Sequence, residues 1–281
     1  MFPLDAAGAR YVRTWLGPPS GPGLLALRHA LVYRRPGLLG DHASTPKSVI
    51  LVREGDARLD VFGAGAPEPA VTWLANQARS FTLLSPEEWH DPVRKRLGLV
   101  EVEEDAVETW SGGFTAPAPA KLSGTAGKPN KAGGTKTATS TVITRRLTPA
   151  DFAAFTAAAP GWALRGWRAF PALIEYGAAF GVPHGSSFAA LAWIFDQVDG
   201  YDAVSVYTTP RYRRLGLGRA AALALVEHIV KRRGKIPLWS TSPRNLPSRI
   251  LARDLGFSVV ATESLLRWPP TPIALDPSTE P

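Results

Sequence analysis

The run Thr208-Thr209-Pro210-Arg211-Tyr212-Arg213-Arg214-Leu215-Gly216-Leu217-Gly218-Arg219-Ala220 constrains this chain more than any other stretch. Residues 203–209 lead into it with β-branched and aromatic side chains and read as a strand. Residues 217–233 follow with an alanine-rich helical pattern that stops at Gly234. A helix that begins directly after such a loop offers free N–H groups and the positive end of its dipole. The two glycines let the backbone approach a ligand closely, and the arginines add charge. Strand, basic glycine loop and helix in this order predict an anion site large enough for a polyphosphate, set in an α/β framework.

Two other phosphate loops fit less well. No Gly is followed at the required spacing by Gly-Lys-Ser or Gly-Lys-Thr, so the P-loop pattern fails. Gly216-x-Gly218-x-x-Ala221 matches the dinucleotide fingerprint by letter, but Pro210 to Leu215 stand between strand and first glycine. The acidic ribose ligand expected about twenty residues on is replaced by Pro237-Leu238-Trp239-Ser240-Thr241.

The chain has 281 residues, 45% of them hydrophobic, enough for one large core or two ordinary ones. Between Phe114 and Ser140 only Leu122 is large and apolar, so residues 114–140 read as a flexible linker. Its Lys121, Lys128, Lys131 and Lys136 read as solvated charge. Before the linker, residues 48–53 and 57–62 predict a hairpin. A helix over 67–78, a strand over 80–84 and a second helix capped by Ser85 follow, with Glu87 and Glu88 near its N-terminus. Trp73, Trp89 and Trp110 are expected in packing.

After the linker we expect a strand over 141–147, a helix capped at Thr148-Pro149, a second helix over 162–179, and strands over 187–196 and 203–209 joined through Asp199-Gly200. The loop helix, a strand over 237–241, a helix over 246–255 and a strand over 257–267 complete the order. The expected organisation is a small α/β domain over 1–113, the linker, a second domain over 141–268 and a disordered tail over 269–281.

The absence of cysteine excludes disulfides, thiol nucleophiles and cysteine-ligated metals, and suits a cytoplasmic location. No segment reads as a membrane span. The net charge of +8 favours anionic ligands without choosing among them. His29, His42, His90, His184 and His228 never fall at metal-ligand spacing, and no Gly-x-Ser-x-Gly elbow occurs, so no metal is expected. Lys231, Arg232 and Arg233, in the last turn before Gly234, read as cations offsetting a helix dipole.

Arg213-x-x-Gly216-x-Gly218 after Thr209-Pro210 resembles the acetyl-CoA loop of the GNAT superfamily of N-acetyltransferases. Trp239-Ser240, Asn245, Ser248 and the closing Ala252-x-x-Leu255-Gly256-Phe257 follow at that superfamily's spacings, so the resemblance covers residues 141 to about 268. It implies an α/β, or α+β, fold with a mixed, mostly antiparallel sheet flanked by helices. The smaller N-terminal α/β domain resembles the degenerate half of a GNAT subgroup. The resemblance further implies acetyl-CoA as co-substrate. Backbone N–H groups of Arg214, Leu215, Gly216, Leu217, Gly218 and Arg219 would hold its pyrophosphate with Arg213 beside them. Val206, Tyr207 and Thr208 would pair with its pantetheine arm, and Asn245 would hold its far end.

A substrate amine is mostly ammonium at neutral pH, so a base must take a proton before nitrogen attacks. By position Asp202 and Glu175 are the candidates. Where many relatives place a Tyr to protonate the leaving thiolate, this chain has Ala252, leaving Tyr207, Tyr212, Ser248 or solvent. Backbone N–H groups where the central strands splay are candidates to stabilise the oxyanion. Gly161-Trp162, Trp167 and Glu175-Tyr176 would line the acceptor side. The expected partner is a small-molecule or protein amine; a homodimer is compatible with the resemblance. The alternative from another class is a non-catalytic CoA-binding or regulatory module, and a nucleic-acid-binding protein ranks last.

Overall fold

The computed structural model describes residues 1–16, 22–33, 35–54, 59–77, 80–97, 103–112, 142–167 and 169–268. The expected linker over 114–140 and tail over 269–281 lie outside the described residues. The chain divides into two compact units. Unit 1 comprises Met1–Thr109, Ser242–Arg244 and Ala261–Pro281; unit 2 comprises Trp110–Thr241 and Asn245–Val260.

Unit 1 runs β1 (Phe2–Pro3), α1 (Ala6–Trp15), α2 (Pro22–Tyr33), β2 (Leu38–Gly40), β3 (Ser48–Glu54), β4 (Leu59–Gly65), α3 (Pro67–Ala75), β5 (Phe81–Leu84), α4 (His90–Leu97) and into β6 (Glu103–Ser111). Strands β1 to β4 pair in succession as antiparallel neighbours, and β4 pairs with β5 in parallel. The alternation of β3 sorts the core. Ile50 joins Val61, Leu74, Leu83 and Trp89 in one cluster, while Val49 and Leu51 join Val12, Leu27 and Leu31 in another. Helices α3 and α4 supply the first cluster, α1 and α2 the second.

The hairpin expected over 48–62 is present, closing at Glu54↔Leu59. Ser85 is not a helix cap. Pro86 occupies the N-cap of the turn Glu87–Trp89 without a side-chain bond, and the Ser85 hydroxyl is buried with no partner.

Unit 2 runs β7 (Arg145–Arg146), a 3-10 turn (Pro149–Asp151) into α5 (Phe152–Ala158), α6 (Phe170–Tyr176), β8 (Ala179–His184), β9 (Ser187–Val198), β10 (Tyr201–Thr208), α7 (Leu217–His228), β11 (Ile236–Thr241), α8 (Leu246–Asp254) and β12 (Ser258–Trp268). Thr148 and Asp151 form a reciprocal capping box at the start of α5. The Arg145 guanidinium, donating to Asp151 at 2.8 Å, holds that carboxyl far below the usual carboxylate range. Strands β7, β8, β9 and β10 pair in succession as antiparallel neighbours, and β10 pairs with β11 in parallel. Asp199-Gly200 turns β9 into β10 with Val198 opposite Tyr201 and Gly200 at φ +82°.

The helix expected over 162–179 is shorter, and its end is the strand β8. Residues 161–166 form successive turns closed by bonds such as Ala163 N–H to Pro160 O and Arg165 N–H to Trp162 O, and Gly166 lies so close to the Phe195 carbonyl that an added Cβ would sit 1.8 Å from that oxygen. Pro171 then sits in the first turn of α6, where its missing N–H costs nothing, and Gly177 ends the helix. Strand β8 follows, with Ala179 and Val182 buried.

The two units repeat one topology. In each, a strand, two helices and three antiparallel strands lead into a helix, a strand parallel to the last of the three, and a final helix. Strand β12 passes into unit 1 at Ala261, and its closing residues, Leu265–Trp268, pair antiparallel with β5 there.

Candidate functional site

In unit 2 the parallel ladder of β10 with β11 consists of four pairs and stops at Val204↔Trp239. Strand β10 continues to Thr208 and stays paired to β9 as far as Thr208↔Ala190. Ser205 to Thr208 therefore have no strand partner on the β11 side. The two central strands splay, and one edge of β10 is open to an extended ligand.

The loop beyond Thr208 begins with a turn at Pro210–Tyr212, and Arg213 Nε donates to the Thr208 carbonyl at 3.2 Å. Arg214 adopts φ +64°, the left-handed region that non-glycine residues seldom occupy, and Gly216 follows at φ +74° as N-cap of α7. Among the described residues nothing accepts from the N–H groups of Arg214, Leu215, Gly216, Leu217, Gly218 or Arg219; the first helical bond runs from Ala220 N–H to Gly216 O. Six successive donors at a helix N-terminus form an anion cradle. Gly218 presses on the end of β10, where an added Cβ would sit 2.5 Å from Thr208 Oγ1. Arg219, the last residue of the cradle, has its side-chain Nη1 buried with no hydrogen-bond partner, an unmet donor.

The N-terminus of α8 lies beyond β11. Asn245 caps it by accepting from Ser248 N–H at 3.3 Å, and Ser248 Oγ accepts from Trp239 Nε1 at 3.0 Å. Asn245 is exposed, leaving its side-chain amide N–H groups for a ligand. Ala252, where the resemblance expects a Tyr, is fully buried in the core.

The nominated proton carriers are not gathered together. Asp202 corrects one expectation. It is fully buried and holds an ion pair with the Arg233 guanidinium, while Lys235 Nζ donates to its Oδ1 at 3.0 Å. With two cations on its oxygens and no solvent-facing side, Asp202 ties β10 to the turn before β11 instead of taking a proton from substrate. Glu175 is exposed on α6. Tyr207 is half-buried on the splayed part of β10, and Ser248 is engaged with Trp239.

Trp167 is another correction, being core: it is buried and donates from Nε1 to Ile194 O at 2.7 Å. Trp162 stacks on Trp193 with ring centroids 5.5 Å apart. His228 lies against Phe180, and burial, reinforced by Arg146 and Arg233, pushes its pKa below the ordinary histidine value. Sequence reasoning missed His184, whose ring lies 4.6 Å from Tyr212 and beside the loop. Nothing short of the β8 register could have placed it there.

Residues 179–266 match the family described as FR47-like protein. No curated protein matches the sequence. Among solved structures, a GCN5-related N-acetyltransferase-like protein from Streptococcus suis is 16% identical, with a TM-score of 0.67 over 94% of this chain and 99% of that one. A GCN5-related N-acetyltransferase from Kribbella flavida is 18% identical, with a TM-score of 0.54 over 98% of this chain and 99% of that one. A tandem GNAT protein from the clavulanic acid biosynthesis pathway is 14% identical, with a TM-score of 0.55 over 95% and 97%. The mixed, mostly antiparallel sheet flanked by helices is thus the GNAT fold, and the likeness takes in both units. The GNAT resemblance of the C-terminal half is borne out by the family match and the fold.

Proposed function

We propose that unit 2 is an acetyltransferase that moves an acetyl group from acetyl-CoA to a primary amine by direct attack, both substrates being bound together. The observation that carries this reading is the cradle of six free N–H groups between Arg214 and Arg219, set at the end of a strand whose edge is open. Arg213 and Arg219 stand beside the cradle to neutralise a pyrophosphate, and Gly218 keeps its floor clear. Val206 to Thr208 offer the open backbone edge to the pantetheine amides, and Asn245 offers its amide at the entrance of α8. Acetyl-CoA would supply the activated thioester carbonyl.

The chain's own part in the chemistry is positional and electrostatic. Backbone N–H groups at the splay beyond Val204 donate to the negative charge that develops on the carbonyl oxygen. With Asp202 committed to Arg233 and Lys235, the ammonium proton leaves to Glu175 or to water. Ala252 carries no proton, so the thiolate takes one from Tyr207, Tyr212 or solvent. The reading suits the cytoplasm, where acetyl-CoA is plentiful.

The test is thiol release from acetyl-CoA with a panel of primary amines. Turnover with at least one amine, lost in Gly216→Glu, supports the reading. Tight acetyl-CoA binding without turnover across the panel favours a non-catalytic CoA-binding module.

A further inference from the structure

Unit 1 contains a cavity of about 290 Å³ at the place where its own central strands part. The β4–β5 ladder ends at Phe62↔Leu84, and the next positions, Gly63 and Ser85, line the cavity. Leu24, Leu84 and Pro86 give it apolar walls. One side is formed by Glu263 of β12, whose carboxylate accepts a single hydrogen bond among the described residues, from Gly23 N–H at 3.1 Å. A carboxylate has about four lone-pair sites, so most of its acceptor capacity is unused. Burial raises the Glu263 pKa, the Gly23 bond opposing only in part. Ser85 Oγ is buried with no partner, and the Glu87 carboxylate stands at the rim. The chain carries 32 lysines and arginines, yet none of the described ones forms an ion pair with Glu263.

A desolvated carboxylate, a free hydroxyl lining the same cavity and no cation among the described residues to match them make a site that lacks its counter-charge. Anions are repelled. The ligand set is too small for calcium or magnesium, which take six or more oxygens, and holds no His or Cys for zinc. An ammonium head has three donors, and Glu263, Ser85 and Glu87 provide three acceptors around apolar walls that suit a short hydrocarbon body.

We propose that this cavity in unit 1 binds a small primary ammonium compound through Glu263 and Ser85. The site is separate from the acetyl-CoA cradle of unit 2 and does not depend on the acetyltransferase reading.

The test is a titration of the full chain with n-butylammonium chloride, followed by the NMR shift of the Gly23 amide, with 1-butanol as the uncharged analogue. The expected result is a saturable shift with the amine and none with the alcohol. Glu263→Gln, which keeps an acceptor for Gly23, should weaken binding at least about tenfold, and Ser85→Leu, which fills the cavity, should abolish it. Gly216→Glu in unit 2 should leave it unchanged. A shift that does not saturate, equal affinity in folded Glu263→Gln or Ser85→Leu, equal response to 1-butanol, or tighter binding of magnesium chloride would each overturn the proposal.

Discussion

The two units answer the same topological question differently at the step from the fourth strand into the following helix. In unit 2, β10 and α7 are separated by a basic loop whose glycines leave six N–H groups free. In unit 1, β4 ends at Gly65 and α3 begins two residues later with Pro67-Glu68-Pro69. Two prolines remove donors and a glutamate sets negative charge where unit 2 has arginine. Along the open edge the contrast repeats. Trp89 lies on Gly63, where an added Cβ would sit 2.4 Å from its ring, and its Nε1 donates to Gly65 O at 2.8 Å. In unit 1 the Trp89 side chain covers the Gly63 stretch of that edge and leaves only the cavity beside Ser85 and Glu263. A shared fold therefore fixes where a cleft lies, while a handful of residues at the helix start decides what can enter it.

This contrast can be broken in either unit. The largest expected effect is structural. Asp202→Asn leaves Arg233 and Lys235 without their charge partner and should cost about 3 kcal/mol of stability by denaturant unfolding. Next, Gly218→Val drives a side chain into Thr208 and should weaken acetyl-CoA binding on the order of 100-fold by calorimetry. In unit 1, Gly63→Ala should instead destabilise the chain by about 1–3 kcal/mol against the Trp89 ring, with acetyl-CoA affinity unchanged in the folded protein.

Arg219→Gln removes the buried guanidinium beside the cradle. It should weaken acetyl-CoA about tenfold and flatten the salt dependence of binding, both read by titration at two ionic strengths.

The smallest effect is a pH signature in unit 1. Burial raises the Glu263 pKa, so the folded state holds that proton more tightly than the unfolded chain. The stabilisation this provides is complete below the unfolded-state pKa and is lost as pH rises through the folded one. Glu263→Gln should therefore melt slightly above the wild type near about pH 7, with the difference closing towards about pH 4. A variant that melts lower at neutral pH would show that the carboxylate is compensated.

What the sequence reveals is local. Asp199-Gly200 is a two-residue hairpin turn wherever it occurs between strands, and the Arg213 to Gly218 loop carries its chemistry in consecutive residues. Strand β8 is hidden because Ala178-Ala179 extend a helical composition, while its pairing with β9 and the close approach of Gly181 to the Phe188 ring depend on contacts that a single sequence does not display. Helices α1 and α2, absent from the sequence-based expectation, include the segment Leu24 to Leu31, apolar but for Arg28 and His29, whose period is ambiguous. The tie of Asp202 to Arg233 and Lys235 spans 31 and 33 residues and depends on strand register, which a single sequence does not display. Position alone therefore suggested a base where the fold has built an anchor.

The most direct test of the central claim is a calorimetric titration of acetyl-CoA into the wild-type protein and into Gly216→Glu, whose side chain places charge and bulk inside the cradle. The account predicts one site per chain in the wild type, lost in the variant while its thermal unfolding is preserved. No binding to the folded wild type, or equal binding to both proteins, would contradict it.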